Sequence, residues 1–464
     1  MKKPNLLFFG IDSLTAQRMS TFGYERLTTP HIDELAAEGV SFKNCFSPSI
    51  PTPPGYSALF TGRDCFGTDI VTLRLENGIP DDVPTMAEIL NGEGYNTTCV
   101  GFQNEVARGF QNYIDYEGWA GNVQDRAPKA ERLNAVAIPE LKRLAGEDKP
   151  FLLFLRHMDP HSPYLPPRPF ERIFYDGDEF DPNNKSLDEV MTFKPFCDYF
   201  ASWFPERCTD DKYIEAQYDG AIAYMDACIK NILTTLDSLG IRDETIVVIT
   251  SDHGETLNQH DCHFDHHGLY ECTLRVPMIL RWPGVIPEGW QFDDFIQQKD
   301  LLPTLLELMG IEKGIKFDGR TLSPIWTDSP AENREHRAQE TEFYITECTW
   351  MRKHGWRTPE WKLIRALEPD FHFKPPVELY NLINDPEELN NVAESEPGVV
   401  ALLTERMEAH IKRREADVGR KNPMFRNENW NSKGHYFTSS EEAYNSMHIG
   451  DSGAAAKLQR KNDE

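Results

Sequence analysis

Apolar residues in this chain gather into short unbroken runs separated by longer amphipathic stretches. Thr245-Ile246-Val247-Val248-Ile249-Thr250 is the clearest run; its β-branched residues predict a strand buried on both faces, as in a parallel sheet. Asn5-Leu6-Leu7-Phe8-Phe9-Gly10-Ile11 reads the same way. Further strand-like runs at 97–101, 151–156 and 276–281 alternate with helical patterns near 31–38, 85–91, 213–239 and 301–309. That alternation predicts an α/β fold whose mostly parallel central sheet is covered by helices on both faces. From about Glu342 the runs shorten to 343–348, 361–365 and 377–381, followed by Asp385-Pro386-Glu387-Glu388 and a helical pattern over 400–413. They predict a smaller C-terminal antiparallel sheet with one helix. Beyond about Lys421 the chain is polar and dotted with aromatics (Phe425, Trp430, Tyr436, Phe437, Tyr444), too polar to form a core of its own. The expected division is a catalytic α/β domain over 1–340, an α+β subdomain over 341–420 and a polar arm over 421–464.

The ends of the two strongest strands carry the chemistry. One runs into Ser251-Asp252-His253-Gly254-Glu255 and the other into Asp12. The carboxyl ends of strands are where α/β proteins place their sites, so Asp252 and His253 read as a metal-ligand pair, with Asp12 a third hard ligand on the same rim. Capping of the following helices is the plainer alternative for both aspartates.

A length of 464 residues fits two or three domains, or one large domain with an appendage. The formal charge of −27, from 48 basic and 75 acidic residues, disfavours nucleic-acid backbones and anionic membranes as partners. No apolar stretch is long enough to span a bilayer, and Met1-Lys2-Lys3-Pro4 leads directly into the first strand with no signal-peptide pattern; a cytoplasmic location is expected. Nine cysteines at irregular spacing, without a C-x-x-C pair, suggest neither a disulfide framework nor a zinc site.

Several further motifs occur in a telling order: Thr29-Pro30-His31-Ile32-Asp33-Glu34-Leu35, Leu59-Phe60-Thr61-Gly62-Arg63, His161-Ser162-Pro163, Tyr270-Glu271 before Val276-Pro277, Asp300-Leu301-Leu302-Pro303-Thr304 and Glu378-Leu379-Tyr380-Asn381-Leu382. With Asp12 and Ser251-Asp252-His253-Gly254 among them, the chain to about residue 415 resembles the sulfatase family of the alkaline phosphatase superfamily. Departures from that pattern shape the expected chemistry. Where sulfatases carry Cys-x-Pro-Ser-Arg, whose cysteine becomes formylglycine, this sequence has Thr52-Pro53-Pro54-Gly55-Tyr56. Threonine cannot become formylglycine, so a hydroxyl nucleophile beside a metal is implied, as in the superfamily's phosphoryl-transferring branches. Ser13 stands at the family's second aspartate, Gly101-Phe102-Gln103-Asn104 at its Gly-Lys-Trp-His, and His266, beside His267, at a lysine.

The resemblance thus implies a divalent ion on Asp12, Asp252, His253 and Thr52, manganese or zinc being favoured by the imidazole and calcium possible. A second metal near His260, His263, His266 and His267 is an open alternative to a proton-donating role there. His161, preferred to His157, is implied as a catalytic residue beside the Thr52 nucleophile and the proton donor His266, with Asn104, His267 and Tyr56 as substrate-binding residues. With several lysines and arginines replaced by weaker donors, the expected substrate is a small monoanionic ester, first a phosphodiester or phosphonate monoester, with a sulfuric ester or phosphoryl transfer as alternatives. The aromatic arm suggests a homo-oligomer.

Overall fold

The computed structural model describes residues 3–73, 78–103, 106–118, 126–193, 201–311, 313–327, 341–349, 351–368, 370 and 372–426. Its large sheet contains β1 (Asn5–Ile11), β2 (Val40–Phe46), β4 (Asn96–Val100), β5 (Asn112–Ile114), β6 (Phe151–His157), β7 (Thr245–Ser251), β8 (Arg275–Arg281) and β9 (Trp290–Gln297). The strand order is β5-β4-β6-β1-β7-β8-β2-β9. Five neighbouring strands from β5 to β7 are parallel, and β8 runs against both β7 and β2.

Alternate residues of β1 feed two cores. Leu7 and Phe9 pack with Leu133, Leu141, Tyr218 and Ile229 of helices Lys129–Ala145 and Asp211–Ser238. Leu6 and Phe8 pack with Leu59, Phe60, Leu90 and Leu302 of helices Thr52–Thr61, Met86–Gly92 and Leu301–Leu308. Burial on both sides is why these strands lack polar alternation.

The smaller sheet has the order β13-β12-β11-β10-β3, from β3 (Ser49–Ile50), β10 (Phe343–Cys348), β11 (Arg352–Arg357), β12 (Trp361–Ala366) and β13 (Val377–Asn381). It is antiparallel except where β10 pairs with β3 in parallel. The strand β11 escapes the sequence pattern because Arg352-Lys353-His354-Gly355-Trp356-Arg357 reads as surface, yet it is central. Its charges are neutralised inside: Lys353 pairs with Asp370 and Arg357 with Glu271. Helix Pro397–Val418 covers this sheet through Leu403 and Met407. The first residues past Lys421 dock on the same sheet, with Met424 wholly buried and Asn422 Nδ2 donating to the Tyr344 hydroxyl at 3.0 Å. Trp430, Tyr436, Phe437 and Tyr444 lie outside the described residues. Among the described residues, no helix is long and apolar enough to cross a membrane.

Candidate active site

Strands β1 and β7 lie side by side with Ile11 opposite Ser251, so Asp12 and Asp252 leave the sheet together. Asp252 Oδ1 accepts from the backbone N–H groups of Ser13 at 3.2 Å and His253 at 2.9 Å. Its other oxygen, Oδ2, has no hydrogen-bond donor and lies 3.4 Å from His253 Nε2. The 2.8 Å contact of His253 Nδ1 with the Gly254 carbonyl assigns the ring proton to Nδ1 and leaves a lone pair on Nε2. Asp12 Oδ1 stands 3.9 Å from that nitrogen. Asp12, Asp252 and His253 are buried and place ligand atoms within 4.8 Å of one another. Two carboxylates and an imidazole, with one oxygen lacking any donor, fit a divalent cation.

Electrostatics points the same way. Burial pushes Asp12 upward, but Arg156, His161 and His253 outweigh it and hold this carboxyl well below the usual range. Asp252 moves the opposite way, raised well above its ordinary value by burial and by the Asp12 charge. The pair therefore resists double ionisation until a further cation joins it. Burial also keeps His253 neutral, lowering it to about 3.

Thr52 is the first residue of helix Thr52–Thr61, and its Oγ1 lies 3.1 Å from His253 Nε2. Gly55 permits this approach: a Cβ there would sit 2.4 Å from the Asp252 carbonyl oxygen. Gln298 Nε2 fixes the same backbone from another side, donating to Ser251 O at 2.6 Å and Asp252 O at 2.7 Å. Arg156, from the end of β6, grips Asp12 Oδ2 through Nε at 2.9 Å and through a second, closer nitrogen. Sequence reading passed over Arg156, although a lone charge closing the apolar run Phe151-Leu152-Leu153-Phe154-Leu155 is the same signal that marks Asp12. Its guanidinium lies over Phe102 and Tyr56 at 4.5 and 5.8 Å.

The remaining expected residues fall in different places. His161 Nε2 reaches within 3.9 Å of Asp12 Oδ1, while Nδ1 contacts the Ser162 carbonyl at 2.7 Å. The buried Lys129 supports this loop, donating to the carbonyls of His161 and Pro163. His157 instead packs against Phe9, wholly buried. The His266 ring joins the cluster, 4.5 Å from that of His253 and 5.6 Å from that of His161. Burial opposes charge on His266, but Asp265 outweighs it and raises the group to about 10. Tyr56 is wholly buried among Phe60, Phe102 and Phe154, beneath Arg156. His267 lies behind His266, between Asp265 and Glu347. Tyr56 is thus enclosed by aromatic rings and Arg156, and His267 by Asp265 and Glu347. His260 stacks on Tyr270, and His263 lies near Asn258 and Phe193. Asn104 lies outside the described residues. Glu255, raised to about 8 by burial, sits with Asp265 and His266 in a second group within 4.8 Å.

Known proteins resemble this chain in sequence and fold. A family model described as Sulfatase matches residues 4–311, and one described as N-sulphoglucosamine sulphohydrolase, C-terminal, matches 259–416. An N-acetylglucosamine-6-O-sulfatase of Bacteroides thetaiotaomicron is 24% identical, over 84% of this chain and 83% of that protein. A solved structure in complex with its substrate D-glucosamine-2-N,6-O-disulfate superposes with a TM-score of 0.68 at 22% identity, covering 91% of this chain and all of the other. The phosphonate monoester hydrolase of Agrobacterium radiobacter gives a TM-score of 0.70 at 20% identity, over 90% and 96% of the two chains; a likeness at that identity carries the fold alone.

The expectation of a phosphodiesterase or phosphonate monoester hydrolase is therefore corrected, since the matching family and the curated relative are sulfatases. The weak cation field did not separate the two readings because a sulfate ester carries the same single negative charge as a phosphodiester. Members of the matching family bind a divalent metal, and Asp12, Asp252 and His253 form one of the two groups among the described residues that could hold one. With the family model spanning well over half its length, the chain belongs to the sulfatase family of the alkaline phosphatase superfamily, whose members are metal-dependent ester hydrolases.

Proposed function

We propose that this protein hydrolyses sulfate monoesters of sugars, with the unmodified Thr52 hydroxyl as nucleophile. The observation that carries the reading is the position of Thr52 Oγ1, 3.1 Å from His253 Nε2 and beside the Asp12–Asp252 pair. The sugar is suggested by the names of the relatives, an N-acetylglucosamine-6-O-sulfatase and a protein bound to a glucosamine disulfate.

In this reading Asp12, Asp252 and His253 would hold a divalent ion, manganese or zinc before calcium, which would supply Lewis acidity beside the Thr52 hydroxyl. The Thr52 hydroxyl gives up its proton to solvent, and its oxygen attacks sulfur in line as the bond to the sugar oxygen breaks. His266, protonated at neutral pH, gives a proton to the departing oxygen. An arriving anion favours the protonated form of His161, whose Nε2 then donates to a sulfuryl oxygen. Neutral His266 next takes one proton from water as its oxygen attacks sulfur, and the proton remaining on that oxygen passes to the departing Thr52 oxygen, so sulfate and the Thr52 hydroxyl are released and His266 is protonated again. Glucosamine 6-sulfate and an aryl sulfate, tested against bis-aryl phosphate, aryl phosphonate and aryl phosphate on metal-loaded protein, decide the matter. Sulfate esters are expected to give the highest kcat/KM, and turnover confined to the phosphorus esters would overturn the reading.

In the same reading residues 1–340 carry the chemistry, 341–420 form the accessory subdomain, and 421–464 form the arm of a cytoplasmic homo-oligomer. Because 421–426 pack on their own chain, truncation after Arg426 is the cleaner test. Light scattering is expected to show a mass below that of the full-length oligomer; an unchanged mass would remove the arm from assembly.

A further inference from the structure

With His266 taken as the proton donor of the proposed hydrolysis, we propose that Asp265, His267 and Glu347 are positioning residues that fix its ring, so that the smaller sheet holds the leaving-group side of the reaction. The chain of contacts is continuous and buried. His266 Nδ1 lies 2.8 Å from Asp265 Oδ1, Asp265 Oδ2 lies 3.0 Å from His267 Nε2, and His267 Nδ1 lies 3.5 Å from Glu347 Oε1. Glu347 is wholly buried, and its second oxygen accepts from the Gly268 N–H at 3.1 Å, so it holds the backbone of the 266–268 segment while Oε1 faces the His267 ring. Asp265 is tied in turn by its backbone, whose carbonyl accepts from Thr256 N at 3.0 Å. With Nδ1 facing Asp265, the other nitrogen of His266 is the one left to face the cluster of His161 and His253 rings.

Glu347 belongs to β10, where its register partners are Ile50 of β3 and Lys353 of β11. The strand β3 ends two residues before Thr52. One short strand of the smaller sheet therefore braces the segment that presents the nucleophile and, through Glu347, the group that protonates the leaving oxygen. A pair of carboxylates orienting successive imidazoles is the arrangement by which outer groups set a ring's tautomer and direction. Glu347 also faces the charge of the buried Lys353, its register partner on β11, so the test has to separate a positioning role from a loss of folding.

The test is the dependence of kcat on the leaving group in Glu347→Gln, measured on a series from alkyl to 4-nitrophenyl esters. A misplaced proton donor harms poor leaving groups, whereas nitrophenolate departs without one. We expect about a 10-fold loss at the alkyl end, a much smaller one at the nitrophenyl end, and so a steeper dependence than in the unmutated protein. Equal losses across the series in a folded variant, or none, would overturn the positioning role. His267→Gln, with the same expected slope, serves if Glu347→Gln does not fold. The series is run with sulfates and, should the unmutated protein prefer them, with the matching phosphorus esters, so a wrong ester class does not decide the positioning question. A protein that cleaves neither series overturns both readings.

Discussion

Thr52→Ala is expected to lower kcat/KM for a sulfate ester by about four orders of magnitude or more, with the fold and the metal content retained. Four orders correspond to about 5.5 kcal/mol of transition-state stabilisation, more than the loss of one methyl and one hydroxyl from a helix terminus takes from stability. The Thr52 hydroxyl is the group that contacts His253 Nε2, and Asp12, Asp252 and His253 keep their ligand atoms without it. Thr52→Ser keeps an oxygen in place and is expected to stay within about 10-fold of the unmutated enzyme, the cost being a freer rotamer. Thr52→Cys brings no formylglycine, because Gly55 and Tyr56 also depart from the modification motif. Near-normal turnover by Thr52→Ala, measured under single-turnover conditions to exclude a trace contaminant, would mean that water attacks sulfur directly.

Legibility in the sequence followed physical context. Strands buried on both faces announce themselves, so β1 and β7 and the carboxylates and imidazole brought together at their ends were readable, as was the 28-residue helix Asp211–Ser238 from its 3.6 period. The basic strand β11 was not, because its partners Asp370 and Glu271 come from distant segments and only the fold pairs them. The same reason hid Glu347. The two-residue β3 is invisible to any periodicity. His267 shows the converse difficulty: residue type suggested chemistry, but only coordinates say whether such a group faces the substrate or braces a neighbour. The choice between phosphorus and sulfur lay beyond charge counting altogether, since both candidate esters are monoanions.

Metal removal is expected to have the second large effect, and Asp252→Asn separates its two consequences. In the metal-free protein Asp252 is buried beside an ionised Asp12, and its carboxyl is raised well above the ordinary range. A group raised in the folded state contributes stability that is present below its unfolded pKa of about 3.9 and lost as pH climbs through the folded value. Chelated protein is therefore expected to lose stability as pH rises from about 4 upward, and to recover it when metal is added. Saturation at 100 times Kd contributes about 2.7 kcal/mol, readable as a rise in Tm.

Asp252→Asn removes the repelling charge and keeps the amide oxygen, so the metal-free variant is expected to unfold at the same temperature as the metal-free parent or higher, with a flatter pH dependence. The same substitution takes away one anionic ligand, so metal content falls, the metal-induced rise in Tm shrinks and turnover drops with them. His253→Ala shares the loss of metal without the gain in metal-free stability, because burial already keeps that imidazole neutral. Elemental analysis together with thermal unfolding, with and without chelator, distinguishes the two variants. Full occupancy in both would remove these residues from the metal. A metal-free Asp252→Asn markedly less stable than the metal-free parent would show that Arg156 and the backbone donors already neutralise the pair, leaving no electrostatic demand for a cation between β1 and β7.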